Sequence, residues 1–257
     1  MNASTIRSDP GSVQNLMADS PNWLNGRVAV ITGAGKGIGR ATAEAIARAG
    51  AHVVVVARTA KQVEDVAASI RNDGGAATAV TADVGRAADV DRLYQVAASV
   101  GPPTALVCAA AVLHKVAFDE TSLETWEETI RINLTGAFLC CRKAFPLMRD
   151  AGGGRIVNLA SLSGIYGTEK FPGLAAYNVS KYGVVGLTEA VAVEGRRYGI
   201  SAICLSPGAV ETEMLRRANP QLRASLTPSQ VGALIVSLLE GPVVPASGAN
   251  IPLFSNA

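Results

Sequence analysis

The chain has 257 residues, of which 49% are apolar and 17% charged. That composition suits a single α/β domain, able to bury roughly three quarters of its unfolded surface, and argues against disorder. A net charge of +2 with no dense Lys/Arg run points away from nucleic acid and membrane surfaces and towards a small-molecule partner. Four cysteines without C-x-x-C spacing and only two histidines point away from zinc or a disulfide framework, so no metal is expected.

Residues 1–22 are polar, carry Pro10, Gly11 and Pro21, and read as an extension without a signal-peptide run. No later stretch reaches the ~20 apolar residues needed to cross a bilayer. A soluble, cytoplasmic protein with one domain over 23–257 is expected. In that domain short β-branched runs at 27–32, 52–57, 77–81, 104–109, 155–160, 200–206 and 250–254 alternate with segments of helical period. The helices start near Gly37, Lys61, Ala87, Ser122, Ala175 and Pro228. This rhythm predicts a doubly wound, Rossmann-type α/β fold with a seven-stranded parallel sheet and helices on both faces. Pro252 cannot donate to a ladder and places the last strand at an edge. The longest predicted helix covers 122–150, with a buried stripe of Trp126, Ile130, Asn133, Ala137, Cys141, Phe145 and Met148 and with Arg131 mostly outside.

After the first strand comes Thr32-Gly33-Ala34-Gly35-Lys36-Gly37-Ile38-Gly39, running straight into a helix. Glycines permit close backbone approach, and the helix N-terminus offers free N–H groups to a pyrophosphate. The general G-x-G-x-x-G fingerprint does not match here, whereas T-G-x-x-x-G-x-G does. At the end of the second strand, Ala57-Arg58-Thr59 lacks the carboxylate that would bind the ribose hydroxyls of NAD. Arg58 stands there instead, and Lys36 adds a second cation in the turn, so NADP(H) is the expected cofactor.

Tyr177 and Lys181 are four residues apart and share one helix face. A phenol with a pKa near 10 is a poor base at neutral pH, but an adjacent cation typically lowers a pKa by about 1–3. Taken with Asn133 in Ile132-Asn133-Leu134-Thr135-Gly136, Ser161 at the end of the fifth strand and Pro207-Gly208 after the sixth, this pair resembles the short-chain dehydrogenase/reductase family over about residues 24–253.

The resemblance implies an enzyme moving a hydride between NADP(H) and a carbonyl or secondary alcohol carbon. It implies Tyr177 as acid-base group, Lys181 as both its cationic neighbour and a ligand of the nicotinamide ribose, and Asn133 in a proton relay to solvent. Without it, a buried amide satisfying backbone is the simpler reading of Asn133. Ser161 would bind the substrate oxygen. Ser163 competes, but the family's serine is followed by two residues and a glycine, here Leu162-Ser163-Gly164.

Cofactor contacts are implied for Gly33, Gly35, Lys36, Gly37, Ile38, Gly39, Arg58, the adenine-side pair Asp83 and Val84, Ala109, Ala110, Tyr177, Lys181, Pro207, Gly208, Val210 and Thr212. Family habit also implies a homodimer or homotetramer formed through the helices carrying Asn133 and Tyr177.

Two departures stand out. Cys108-Ala109-Ala110-Ala111 replaces the usual Asn-Asn-Ala-Gly, and the loop over 166–176 is slightly long. Cys108 is either a reactive thiol or a buried inert one, Asp83 an adenine contact or a solvated aspartate, and His114 a cleft or a loop residue. Arg216, Arg217 and Arg223 in the segment over the substrate suit an acidic handle or are simply solvated. The resemblance favours a 3-oxoacyl-thioester ketoreductase. The alternatives are a broad carbonyl or sugar-alcohol dehydrogenase and a non-catalytic nucleotide-sensing protein, the latter at odds with the intact set Asn133, Ser161, Tyr177 and Lys181.

Overall fold

The computed structural model describes residues 22–241 and 246–255. Apart from Asn22, the extension expected over 1–22 lies outside the described residues. Seven strands form one parallel sheet: β1 (Val28–Thr32), β2 (His52–Ala57), β3 (Ala76–Thr81), β4 (Pro103–Cys108), β5 (Gly154–Leu159), β6 (Ile200–Pro207) and β7 (Asn250–Leu253). Their order is β3-β2-β1-β4-β5-β6-β7, with β7 and its Pro252 at an edge. Strand ends differ from the sequence-based bounds by a residue or so, within the ordinary fraying of such assignments.

Side chains alternate between two cores. On one face Val28 and Val30 meet α3 (Ala87–Val100), α5 (Gly136–Asp150) and α6 (Ala175–Gly195). On the other, Ala29 and Ile31 meet α1 (Gly37–Arg48), α2 (Ala60–Asn72) and α8 (Pro228–Glu240). The crossovers therefore leave β1 and β4 in opposite directions. Their carboxyl ends open a crevice, the place where open α/β sheets hold ligands. Among the described residues no helix is long and apolar enough to cross a membrane.

At the other end of the sheet Trp23 lies between two guanidiniums, with Arg27 and Arg155 each 4.2 Å from its ring centroid. Arg155 is buried and donates to the carbonyls of Leu239 and Gly241, closing the C-terminal end of α8. The charge is thus covered by ring and carbonyls together.

The helix expected over 122–150 is interrupted. It consists of α4 (Leu123–Ile130), a π-helical turn Arg131–Thr135 and α5. The wider turn inserts a residue and changes the phase of the buried face. Thr129, Ile132, Gly136, Cys140 and Ala144 are buried, while Trp126, Ile130 and Phe145 are only half-buried. Arg131, expected outside, turns in to Asp83 at 2.9 Å. The segment after β6 also holds a helix absent from the sequence reading, α7 (Glu213–Ala218), capped by Thr212 accepting from Leu215 N–H at 3.2 Å.

Candidate active site

A cleft of about 1030 Å³ runs along the carboxyl ends of β1, β2, β4, β5 and β6. Its floor at β1 is the glycine turn. Gly33 has φ +67°, and a Cβ there would lie 2.7 Å from the backbone of Ala109 and Ala110. A Cβ on Gly39 would collide with the Gly33 carbonyl. Only glycines let the turn, the start of α1 and the β4 loop come this close. The result presents the first N–H groups of α1 to a groove also bordered by Gly35, Lys36, Gly37 and Ile38.

Thr32, not singled out from sequence, ties this floor together. Its hydroxyl accepts from Ala109 N–H at 3.1 Å and Ala110 N–H at 3.3 Å. The missing asparagine at 108 therefore leaves the β1–β4 junction pinned. Cys108 itself is buried, and hydrogen bonds with Cys140 and Cys141, together with burial, push its thiol well up from the ordinary range. Of its two readings, the geometry supports the inert one.

The Tyr177 phenol lies on α6, which packs against the segment just past β5. The hydroxyl of Ser161, just past β5, accepts from Ser163 N–H at 3.2 Å, and Ser161 stands beside the Tyr177 phenol, close enough for the two side chains to interact. Ser163 borders the same cleft. Gly164 lets this turn lie on α6, since a Cβ there would be 2.5 Å from the carbonyl carbon of Lys181. Burial raises the pKa of Tyr177, and its interaction with Ser161 pulls the other way. Lys181 is buried, donates to the Leu159 carbonyl at 2.8 Å, and holds its ammonium 5.6 Å from the Tyr177 ring centroid. Burial lowers its pKa to about 8.

Asn133 lies in the π turn behind the cleft wall and does not border the cleft. Its Oδ1 accepts from Val112 N–H at 2.8 Å, and its Nδ2 donates to Val112 O at 2.9 Å and Ser180 Oγ at 3.1 Å. Both amide hydrogens are thus committed, and one acceptor site on Oδ1 remains.

Every other residue predicted from sequence borders the cleft: Arg58 at the end of β2, Asp83 and Val84 after β3, Ala109 and Ala110 after β4, and Pro207, Gly208, Val210 and Thr212 after β6. Asp83 is held by Gly85 N–H at 2.9 Å and by Arg131. Arg58 has only a loose partner, Glu128 at 3.9 Å, whereas Lys36 is bonded to Glu213 at 2.9 Å. His114 pairs with Glu128 at 3.1 Å and stays off the cleft. Arg216 and Arg217 are bound to Glu211 and Glu213, and neither they nor Arg223 reach the cleft.

The cleft is also lined by Leu113, Ile165, Phe171, Met214, Leu222 and Phe254, which no sequence motif singled out because they come from four separate segments. Among the described residues no cluster of His, Cys, Asp and Glu is placed to hold a metal ion.

A parallel sheet with a glycine turn, a helix N-terminus and a Ser-Tyr-Lys set in one cleft defines a nucleotide-dependent oxidoreductase. The family model for short chain dehydrogenases matches residues 27–223. The chain is 38% identical over 206 residues to a D-threitol dehydrogenase from Mycolicibacterium smegmatis, covering 80% of this chain and 78% of that protein. It is 37% identical over 200 residues to a 3-oxoacyl-[acyl-carrier-protein] reductase from Synechocystis sp., covering 77% and 80%. A crystal structure from Beutenbergia cavernae, described as an NAD(P)-dependent gluconate 5-dehydrogenase with NADP bound at low occupancy, superposes with a TM-score of 0.80 at 34% identity. It covers 91% of this chain and 97% of that one. The chain belongs to the short-chain dehydrogenase/reductase family.

Proposed function

We propose that this protein is an NADP(H)-dependent ketoreductase of the 3-oxoacyl-thioester type, working as a homo-oligomer. The glycine turn and the α1 N-terminus would hold the pyrophosphate, Arg58 and Lys36 the 2′-phosphate, Asp83 and Val84 the adenine, and Lys181 the nicotinamide ribose. Bound there, the dinucleotide supplies or accepts the hydride.

The chain's own groups handle the oxygen and its proton. Ser161 donates a hydrogen bond to the substrate oxygen, and Tyr177 delivers its phenolic proton to the alkoxide during reduction. In alcohol oxidation the phenolate takes that proton back. Lys181 holds a positive charge beside the ring and makes the phenolate accessible. Asn133 positions the loop after β4 and the Tyr177 helix, with its remaining Oδ1 acceptor left for a relay to solvent.

The observation that carries the substrate class is the apolar lining that Leu113, Ile165, Phe171 and Leu222 give to the cleft holding Ser161 and Tyr177. It suits an acyl chain better than a polyol, whose hydroxyls need partners. The similarity to a threitol dehydrogenase and to a gluconate 5-dehydrogenase favours a second reading, a polyol or sugar-acid dehydrogenase. Rates with an acetoacetyl thioester, simple ketones, threitol and gluconate, each with both nicotinamide dinucleotides in the appropriate redox state, separate the two. The thioester with NADPH is expected to show the highest kcat/KM, and a preference for threitol or gluconate would overturn the first reading.

A further inference from the structure

Four cations border the cleft: Lys36, Arg58, Lys115 and Lys181. Lys181 is fixed at the floor by Leu159, and Arg58 and Lys36 face carboxylates. Lys115 stands apart from all three. It lies on the stretch after β4, which is tied through Val116 N–H to the Gly173 carbonyl at 3.0 Å, four residues before Tyr177. Its ammonium reaches across to the last turn of α7, where its one hydrogen bond is to the Ala218 carbonyl at 3.5 Å. That distance is long for an ammonium donor, so little of the charge is compensated. Among the described residues no carboxylate makes an ion pair with it, although Glu169 also borders the cleft.

The surroundings say what such a charge is for. Leu113, Phe171 and Leu222 add apolar lining to the same cleft, and Arg216 and Arg217 of the segment after β6 are paired with Glu211 and Glu213. An exposed, weakly engaged cation at the rim of a partly apolar cleft suits a substrate whose reacting carbonyl and oxyanion are held apart.

We propose that Lys115 binds an oxyanion of the substrate, a phosphate or a carboxylate, and so selects anionic over neutral carbonyl compounds. The inference rests on the oxidoreductase reading above and assigns its substrate end a charge. Two sources fit the chemistry, the phosphates of a pantetheine-type carrier and the carboxylate of a free oxo acid.

The test compares wild type, Lys115→Gln and Lys115→Arg on two matched pairs with NADPH: acetoacetyl-CoA against its uncharged N-acetylcysteamine thioester, and 5-oxogluconate against fructose. Lys115→Gln is expected to lower kcat/KM about fivefold or more on the charged member of a pair, the upper range for an exposed ion pair. The neutral member should change less than about twofold, the KM for NADPH should stay the same, and Lys115→Arg should restore the charged substrate. The pair that responds identifies phosphate or carboxylate. Equal losses on charged and neutral probes, no loss on either, or no turnover of any charged probe would overturn the proposal. A wild type inactive on both thioesters but showing the selective loss on 5-oxogluconate would refute the thioester reading alone.

Discussion

Arg58 and Lys36 both border the cleft, yet they are held differently. Lys36 makes a 2.9 Å ion pair with Glu213, whereas the guanidinium of Arg58 keeps its donors largely open, with Glu128 at 3.9 Å. A planar fork with free donors is the better match for a phosphate dianion. Arg58→Asp is therefore expected to cost about 2–4 kcal/mol of NADPH affinity through lost charged contacts and new repulsion, and far less for NADH. Michaelis constants of both forms with both cofactors check this, and a wild type that favours NADH would refute it.

Lys181 makes a second prediction at the same scale. Its pKa falls from an ordinary 10.5 to about 8 on burial, so the folded protein holds that proton less tightly than the unfolded chain. At pH 7 both states are protonated, and burying the charge costs about 3 kcal/mol. Between about pH 8 and 10.5 the unfolded chain binds more protons, so this cost is relieved as pH rises. Lys181→Met is expected to abolish activity yet melt no lower than wild type at pH 7, with any gap shifting towards wild type above pH 8. A variant melting several degrees lower at pH 7 would contradict that account.

The π turn Arg131–Thr135 borders the cleft through Ile132 and works behind its wall through Asn133. Its extra residue turns Asn133 towards Val112 and Ser180, so one amide fastens the loop after β4 and the helix carrying Tyr177. Asn133→Ala unpairs the half-buried backbone groups of Val112 and should cost about 1–3 kcal/mol in urea unfolding along with a loss of kcat. A loss of kcat with unchanged stability would mean that the residue acts as a relay alone. The seven parallel strands, the edge position of the last one and the glycine turn were legible in the sequence, because periodicity and chemistry require given residue types at given spacings, and Ser161, Tyr177 and Lys181 do border one cleft. The π turn was not, because a bulge leaves 3.6-residue periodicity nearly intact on either side. The six residues of α7 are too few for a periodic signal, so the local pairs of Arg216 with Glu211 and Arg217 with Glu213 were hidden with it, while the pairing of Arg131 depends on Asp83, a carboxylate brought near by the fold. Lys115 carries no local motif at all, and its position emerges only when the β4 loop, the loop before α6 and α7 meet.

In the whole molecule the cleft opens at one end of the sheet, and the Trp23 clamp closes the other. Binding and stability are thereby kept at opposite ends. The outer faces of α5 and α6 still expose Phe138, Val179 and Val193, the last at 71%. Such apolar side chains on neighbouring helices suit a self-complementary contact. Light scattering at micromolar concentration is expected to report a dimer or tetramer, and a mass of 26.4 kDa would exclude both. The Tyr177 hydroxyl stands beside Ser161 in the cleft. Tyr177→Phe removes it while leaving the glycine turn, Arg58 and Lys181 in place. The decisive measurement is steady-state turnover of the variant alongside its NADPH affinity: turnover should fall by about a hundredfold or more with affinity nearly unchanged, and turnover above about a tenth of wild type would contradict Tyr177 as the proton donor.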